Sequence, residues 1–105
     1  MDISFANSKL KKLCEDHKQL KRTYGNLQSE RIIKRINELH SAENLLDISK
    51  LPQARLHHLT NNLKGLWVVD IVHPYRMLIK LLNGSVDDLR TVTKIEITEL
   101  GKDYH

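Results

Sequence analysis

Apolar positions recur every three to four residues in the first half of this chain and every second residue in the second half. Between Leu10 and Tyr24 the stripe Leu10, Leu13, His17, Leu20, Tyr24, with Cys14 beside it, lies opposite Lys11, Lys12, Lys18 and Arg22 and predicts an amphipathic helix. Gly25-Asn26 can break it, and the stripe Ile32, Ile33, Ile36, Leu39 predicts a second helix from about Leu27 to His40. Ser41 is placed to cap a short helical turn holding Leu45, Leu46 and Ile48, which Lys50-Leu51-Pro52 ends. Beyond Pro52 the period is two. Trp67, Val69 and Ile71 alternate with Val68, Asp70 and Val72, and Tyr75, Met77, Ile79 and Leu81 alternate with Arg76, Leu78, Lys80 and Leu82. His73-Pro74 supplies the hairpin turn between these runs, because proline fixes φ and restrains the residue before it. Asn83-Gly84 ends the second run, Arg55 to Leu59 predicts another strand, and Val92 to Leu100 predicts the last, with Thr93, Ile95 and Ile97 on one face and Lys94, Glu96 and Thr98 on the other. The sum is an α+β fold, two N-terminal helices packed on a mainly antiparallel four-stranded sheet.

Composition narrows the class. A length of 105 residues suits a single domain spanning the whole chain, residues 1–105, and no internal repeat or linker divides it. With 40% hydrophobic and 29% charged residues it reads as an ordinary globular protein. No apolar run approaches the roughly 20 residues that span a bilayer, and Met1-Asp2-Ile3-Ser4-Phe5 passes straight into charged helix without a signal-peptide core, so no membrane and a cytoplasmic location are expected. The single cysteine, Cys14, sits on an apolar stripe and reads as a buried thiol. A net charge of +4 and a pI near 9.3 favour a polyanionic partner. Aromatic residues make up only 5% of the chain, which argues against a binder built on stacking platforms and leaves charge and shape to hold a nucleic acid.

Three pieces in order carry a resemblance: Arg55-Leu56-His57-His58-Leu59 followed by Lys64-Gly65, then Asp70-Ile71-Val72-His73-Pro74-Tyr75-Arg76, then Asp103-Tyr104-His105. Together they resemble the HigB branch of the RelE/ParE toxin superfamily over nearly the whole chain, from a short first strand and two helices to a four-stranded sheet. The resemblance implies the toxin of a type II toxin-antitoxin pair, a ribosome-dependent endoribonuclease that cuts messenger RNA and is neutralised by a helix-turn-helix, HigA-like antitoxin. Many relatives carry a lysine three residues after the first active-site histidine, where this chain has Thr60; Lys64 is the nearest cation. That departure keeps open a ParE-like toxin that poisons DNA gyrase without catalysis, or an inactive toxin retained as the antitoxin's partner.

The chemistry can be stated from the residues. Cutting RNA without a metal requires a base for the 2′-hydroxyl proton, cations for the charge developing on phosphate, and an acid for the leaving 5′-oxygen. His57 and His105 are the candidate acid-base pair, in either order, and Arg76 is the candidate phosphate ligand because its planar fork bonds oxygens in pairs. Tyr104 can donate to phosphate or stack on a base, and Asp103 can orient a neighbour. Arg55, Lys64 and Lys80 are candidate RNA-binding cations. Plainer readings stand beside these: Asp103-Tyr104-His105 as a polar tail, and Arg76 as a solvated strand residue or an ion-pair partner of Asp70. His73 reads as a turn residue, His58 as the structural member of its pair on the opposite sheet face, Trp67 as a packing residue, and His17 and His40 as surface or core-edge positions. No His-x-x-x-His or Cys-x-x-Cys pair and no glycine-rich phosphate loop is present, so no metal, cofactor or nucleotide is expected. The helices are expected to bury Leu10, Leu13, Leu20, Ile32, Ile36 and Leu39 against the sheet and to turn Lys11, Lys12, Lys34 and Arg35 outward, a cationic face whose binding to an antitoxin would weaken with salt.

Overall fold

The change of hydrophobic period falls where helices give way to sheet. A computed structural model of the chain describes residues 1–59 and 65–102. Its elements run β1 (Asp2–Phe5), α1 (Ser8–Glu15), α2 (His17–Ser41), α3 (Leu45–Ser49), β2 (His57–His58), β3 (Trp67–Asp70), β4 (Tyr75–Leu81), a 3-10 turn (Leu89–Thr91) and β5 (Lys94–Lys102). The sheet order is β1-β5-β4-β3-β2. Among the described residues only β1 pairs in parallel, with β5; the other neighbours are antiparallel.

The α+β class is as expected, but the details depart from it. Among the described residues there are five strands rather than four, because Asp2–Phe5 adds a parallel edge instead of entering a helix. Alternation of partly buried Ile3 and Phe5 with exposed Asp2 and Ser4 is the signal for that strand. The helix expected from Leu10 to Tyr24 is interrupted at Asp16, whose backbone is extended (φ −105°, ψ 95°) and whose carboxylate accepts from Gln19 N at 3.1 Å. An aspartate that caps a new helix while ending the last one divides a continuous apolar stripe. Gly25 does break the helical path, with φ at 83° inside α2. Asn44, not Ser41, caps α3, and the strand expected over Arg55 to Leu59 is confined to His57–His58.

The helices cover one face of the sheet. Leu20, Ile32, Leu39, Trp67, Val69, Met77, Ile79, Ile95 and Ile97 meet in the main core there, while Leu59, Val68 and Leu78 form a smaller cluster with Leu66 on the other face. Cys14 is buried as expected, and burial pushes its thiol up to about 11, with Glu15 adding to the shift. No helix among the described residues is long and apolar enough to cross a membrane.

The turn between β4 and β5 is built on Asn83-Gly84. The Asn83 side-chain oxygen Oδ1 accepts from Thr93 N at 2.9 Å and Lys94 N at 3.1 Å, and Gly84 has φ at 72°. A Cβ on Gly84 would run into the Thr91 backbone carbonyl, whereas one on Gly25 would meet nothing within 4 Å. Gly25→Ala is therefore expected to cost about 1–3 kcal/mol from the backbone alone, because φ 83° with ψ 173° is a conformation that essentially only glycine adopts. Gly84→Ala adds a conflict with backbone to its positive φ and is expected to cost more, roughly 2–5 kcal/mol. Urea midpoints of the two variants check this, and equal midpoints would refute it.

Candidate functional site

On the sheet face away from the helices, strand alternation aligns His57, Val68 and Asp70 with Arg76, Leu78 and Lys80. His57 is opposite Val68, and Val68 is opposite Leu78, which in turn is opposite Glu99. The next row on this face is Asp70, Arg76 and Gly101. His57 and Arg76 thus stand two strands and two residues apart, roughly 12 Å at the backbone, close enough for an imidazole and a long guanidinium arm to approach one phosphate.

One carboxylate joins the cations. Arg55 donates from Nε to Asp70 Oδ2 at 2.7 Å, with Nη2 3.5 Å from Oδ1, and Arg76 Nε lies 3.5 Å from the same Oδ1. Arg76 is nearly buried, its side chain 7% exposed, while that of Arg55 is 57% exposed. Asp70 raises the Arg55 pKa further above its ordinary value through the hydrogen bond and through charge. Arg55 also takes a positive φ of 45°, which is uncommon for a residue with a Cβ. In that conformation its carbonyl accepts from His57 Nδ1 at 2.8 Å. A backbone carbonyl can only accept, so Nδ1 carries a hydrogen, and the nitrogen that can gain or lose a proton is Nε2.

Helix α2 supports this arrangement from behind. Arg35, 1% exposed, donates from Nε to Asp70 O at 2.8 Å and from Nη2 to Gln53 O at 2.7 Å, and its Nη1 pairs with Glu38 at 3.0 Å. Two helical turns earlier, the Gln28 amide bonds both ways with the Val72 backbone, at 2.7 and 3.2 Å, just before His73-Pro74. The segment bearing Arg55 is tied to β3 once more through Asp70 N and Ala54 O at 2.7 Å.

Arg35 was expected on the cationic outer face and is instead buried, whereas Lys11, Lys12 and Lys34 are exposed. Of the sequence-derived candidates, Arg55, His57 and Arg76 are brought to one region. Lys80 shares their face but lies about 13 Å along β4 from Arg76, in a separate cleft of about 380 Å³ with Leu66, Leu82 and Val86. Lys64, Asp103, Tyr104 and His105, with Thr60, lie outside the described residues. His58 stacks on Trp67 at 4.7 Å on the opposite side from His57, Trp67 belongs to the core, and His73, His17 and His40 are exposed. Sequence reading named Asp70 only as a possible partner of Arg76. Its signal was its place six residues before Arg76 across a tight hairpin, which puts the two directly opposite each other. Among the described residues no three His, Cys, Asp or Glu side chains are grouped to hold a metal ion.

A mixed sheet backed by helices, with a histidine, two arginines and the aspartate that pairs them gathered on its uncovered face, places the chain among α+β proteins with a charged site on an open sheet face. The family model described as a RelE-like toxin of the type II toxin-antitoxin system HigB matches residues 3–91, and the chain belongs to that HigB-like toxin family. No curated protein matches it significantly. The matched residues include His57, Asp70, Arg76 and Lys80 and end before β5. Membership of a type II toxin-antitoxin family implies an antitoxin as partner.

Proposed function

We propose that this toxin cuts messenger RNA on the ribosome by metal-independent general acid-base chemistry and so inhibits translation. The observation that carries this reading is the His57 environment: one ring nitrogen is committed to the Arg55 carbonyl, and the other is left on a sheet face that also presents Arg55 and Arg76. In the proposed reaction the 2′-oxygen bonds to phosphorus as its proton passes to one histidine. The bond from phosphorus to the 5′-oxygen breaks as that oxygen takes a proton from a second acid. The products are a 2′,3′-cyclic phosphate and a 5′-hydroxyl. Arg76 and Arg55 neutralise charge growing on the phosphate oxygens, the largest single contribution in reactions of this type.

His105 is the proposed second histidine, with Tyr104 and Asp103 beside it. The register supports this, since β5 brings Gly101 opposite Arg76 and the chain to Lys102 opposite Tyr75. Lys64 and Lys80 are proposed to hold flanking RNA. The partners are the ribosome, its messenger and a helix-turn-helix antitoxin, in the cytoplasm.

Primer extension on a defined messenger in a purified translation system tests the reading, with a no-ribosome control and a His105→Gln variant. Truncated messenger is expected only with ribosomes and parent protein. Intact messenger together with inhibited growth would overturn it, and a supercoiling assay would then test the topoisomerase alternative.

A further inference from the structure

Asp70 does more than neutralise a neighbour. Its carboxylate meets the Nε edge of two guanidinium groups, and it is itself fixed on both sides, by Asp70 N to Ala54 O and by Arg35 Nε to Asp70 O. An arginine as exposed as Arg55 ordinarily samples many rotamers, and ordering it costs up to about 2 kcal/mol. Here a carboxylate anchored to the sheet has already ordered it, beside a second arginine held in β4. Arg55 Nη1 is not among the atoms that Asp70 occupies.

We propose that Asp70 is a positioning residue, which holds Arg55 and Arg76 as a preorganised pair for the phosphate of the RNA strand. The proposal rests on the nuclease reading above and deepens it. The opposite role is physically possible: a carboxylate beside two arginines can act as a built-in competitor of phosphate. The two roles predict opposite signs. Removing a competitor tightens RNA binding, while removing an anchor weakens it even though the protein gains a positive charge.

The test uses a fluorescent single-stranded RNA with 2′-O-methyl groups throughout, so that nothing can be cut, and follows anisotropy across a salt series. The proteins are the parent, Asp70→Asn, Arg55→Ala and the double variant, each shown by urea unfolding to be folded under the assay conditions. Asp70→Asn is expected to weaken binding three- to tenfold. The slope of log K against log salt should become shallower by about 0.7, the loss of one phosphate contact on a single strand. The double variant should lose less than the sum of the two single losses, because part of what Asp70 does passes through Arg55 and the rest through Arg76. Tighter binding with a steeper slope in Asp70→Asn would overturn the proposal in favour of competition, and additive losses would overturn it by separating Asp70 from Arg55. The probe reads binding alone, so a parent that binds it yet cuts no messenger sinks the nuclease reading and leaves the pairing intact. A parent that fails to bind it overturns the pairing.

Discussion

Replacing His57 with Gln is expected to slow single-turnover cleavage of ribosome-bound messenger by about 10² to 10⁴, the usual loss when a proton-transfer group is removed. Glutamine is nearly as long as histidine, and its amide can still donate to the Arg55 carbonyl, so the turn around Arg55 is expected to persist and unfolding to change by less than about 1 kcal/mol. What disappears is the nitrogen opposite Nδ1, the one able to take or give a proton. Measuring the rate against pH separates the two explanations of a slow variant. A protein that has lost its proton-transfer group loses the limb of the profile belonging to that group, whereas one that merely binds RNA poorly keeps the profile and regains rate as substrate is raised. A loss below threefold at saturating substrate would remove His57 from the mechanism.

Much of this site was legible because strands convert sequence spacing into direction. Once Trp67, Val69 and Ile71 are assigned to the core, Asp70 must face away from it, and the same logic sends Arg76 and His57 to the uncovered side. Pairing His57 against the structural His58 also follows from alternation, and the stack of His58 on Trp67 agrees. Helices are less forgiving. The stripe Ile32, Ile33, Ile36, Leu39 centres the buried face of α2 by hydrophobicity alone, yet the fully buried line is Ile32, Arg35 and Leu39, with Ser29 and the partly buried Gln28 on the turns before it. Arg35 lies three residues after Ile32 and four before Leu39, so the phase was present; its charge hid it. Asp16 failed to register for a related reason, since a capping aspartate inside an apolar stripe looks like one more polar surface residue. Contacts that gather Arg55, Asp70 and Arg76 depend on a positive φ and on a clamp from a helix 35 residues away in sequence, and no local pattern encodes either.

That clamp gives the largest expected effect on stability. Arg35→Ala is expected to destabilise the protein by about 3–5 kcal/mol, the range for breaking a buried charged network from one side, which is a large share of the roughly 5–15 kcal/mol that a small domain has in total. The reason is what remains behind. Backbone carbonyls of Asp70 and Gln53 lose donors at 2.8 and 2.7 Å, and the Glu38 carboxylate loses its cation, keeping only the Gln53 amide at 3.1 Å. Acceptors left without a donor cost up to about 1–3 kcal/mol each when buried, and less at the part-buried Gln53 carbonyl, which water can reach. Arg35→Lys keeps the charge but brings a point donor to acceptors that lie around a planar fork, so it should recover less than half of the loss. Arg35→Met restores volume without donors and should behave nearly like alanine, because the two carbonyls belong to the backbone and cannot be replaced along with their partner. Urea unfolding checks the series, and a methionine variant within about 1 kcal/mol of the parent would show that the network contributes no net stability. A second readout ties the clamp to the site: with Asp70 released from Arg35, RNA cleavage by the lysine variant should fall further than its folded fraction accounts for, since Arg55 and Arg76 are aligned by a carboxylate whose backbone α2 no longer holds.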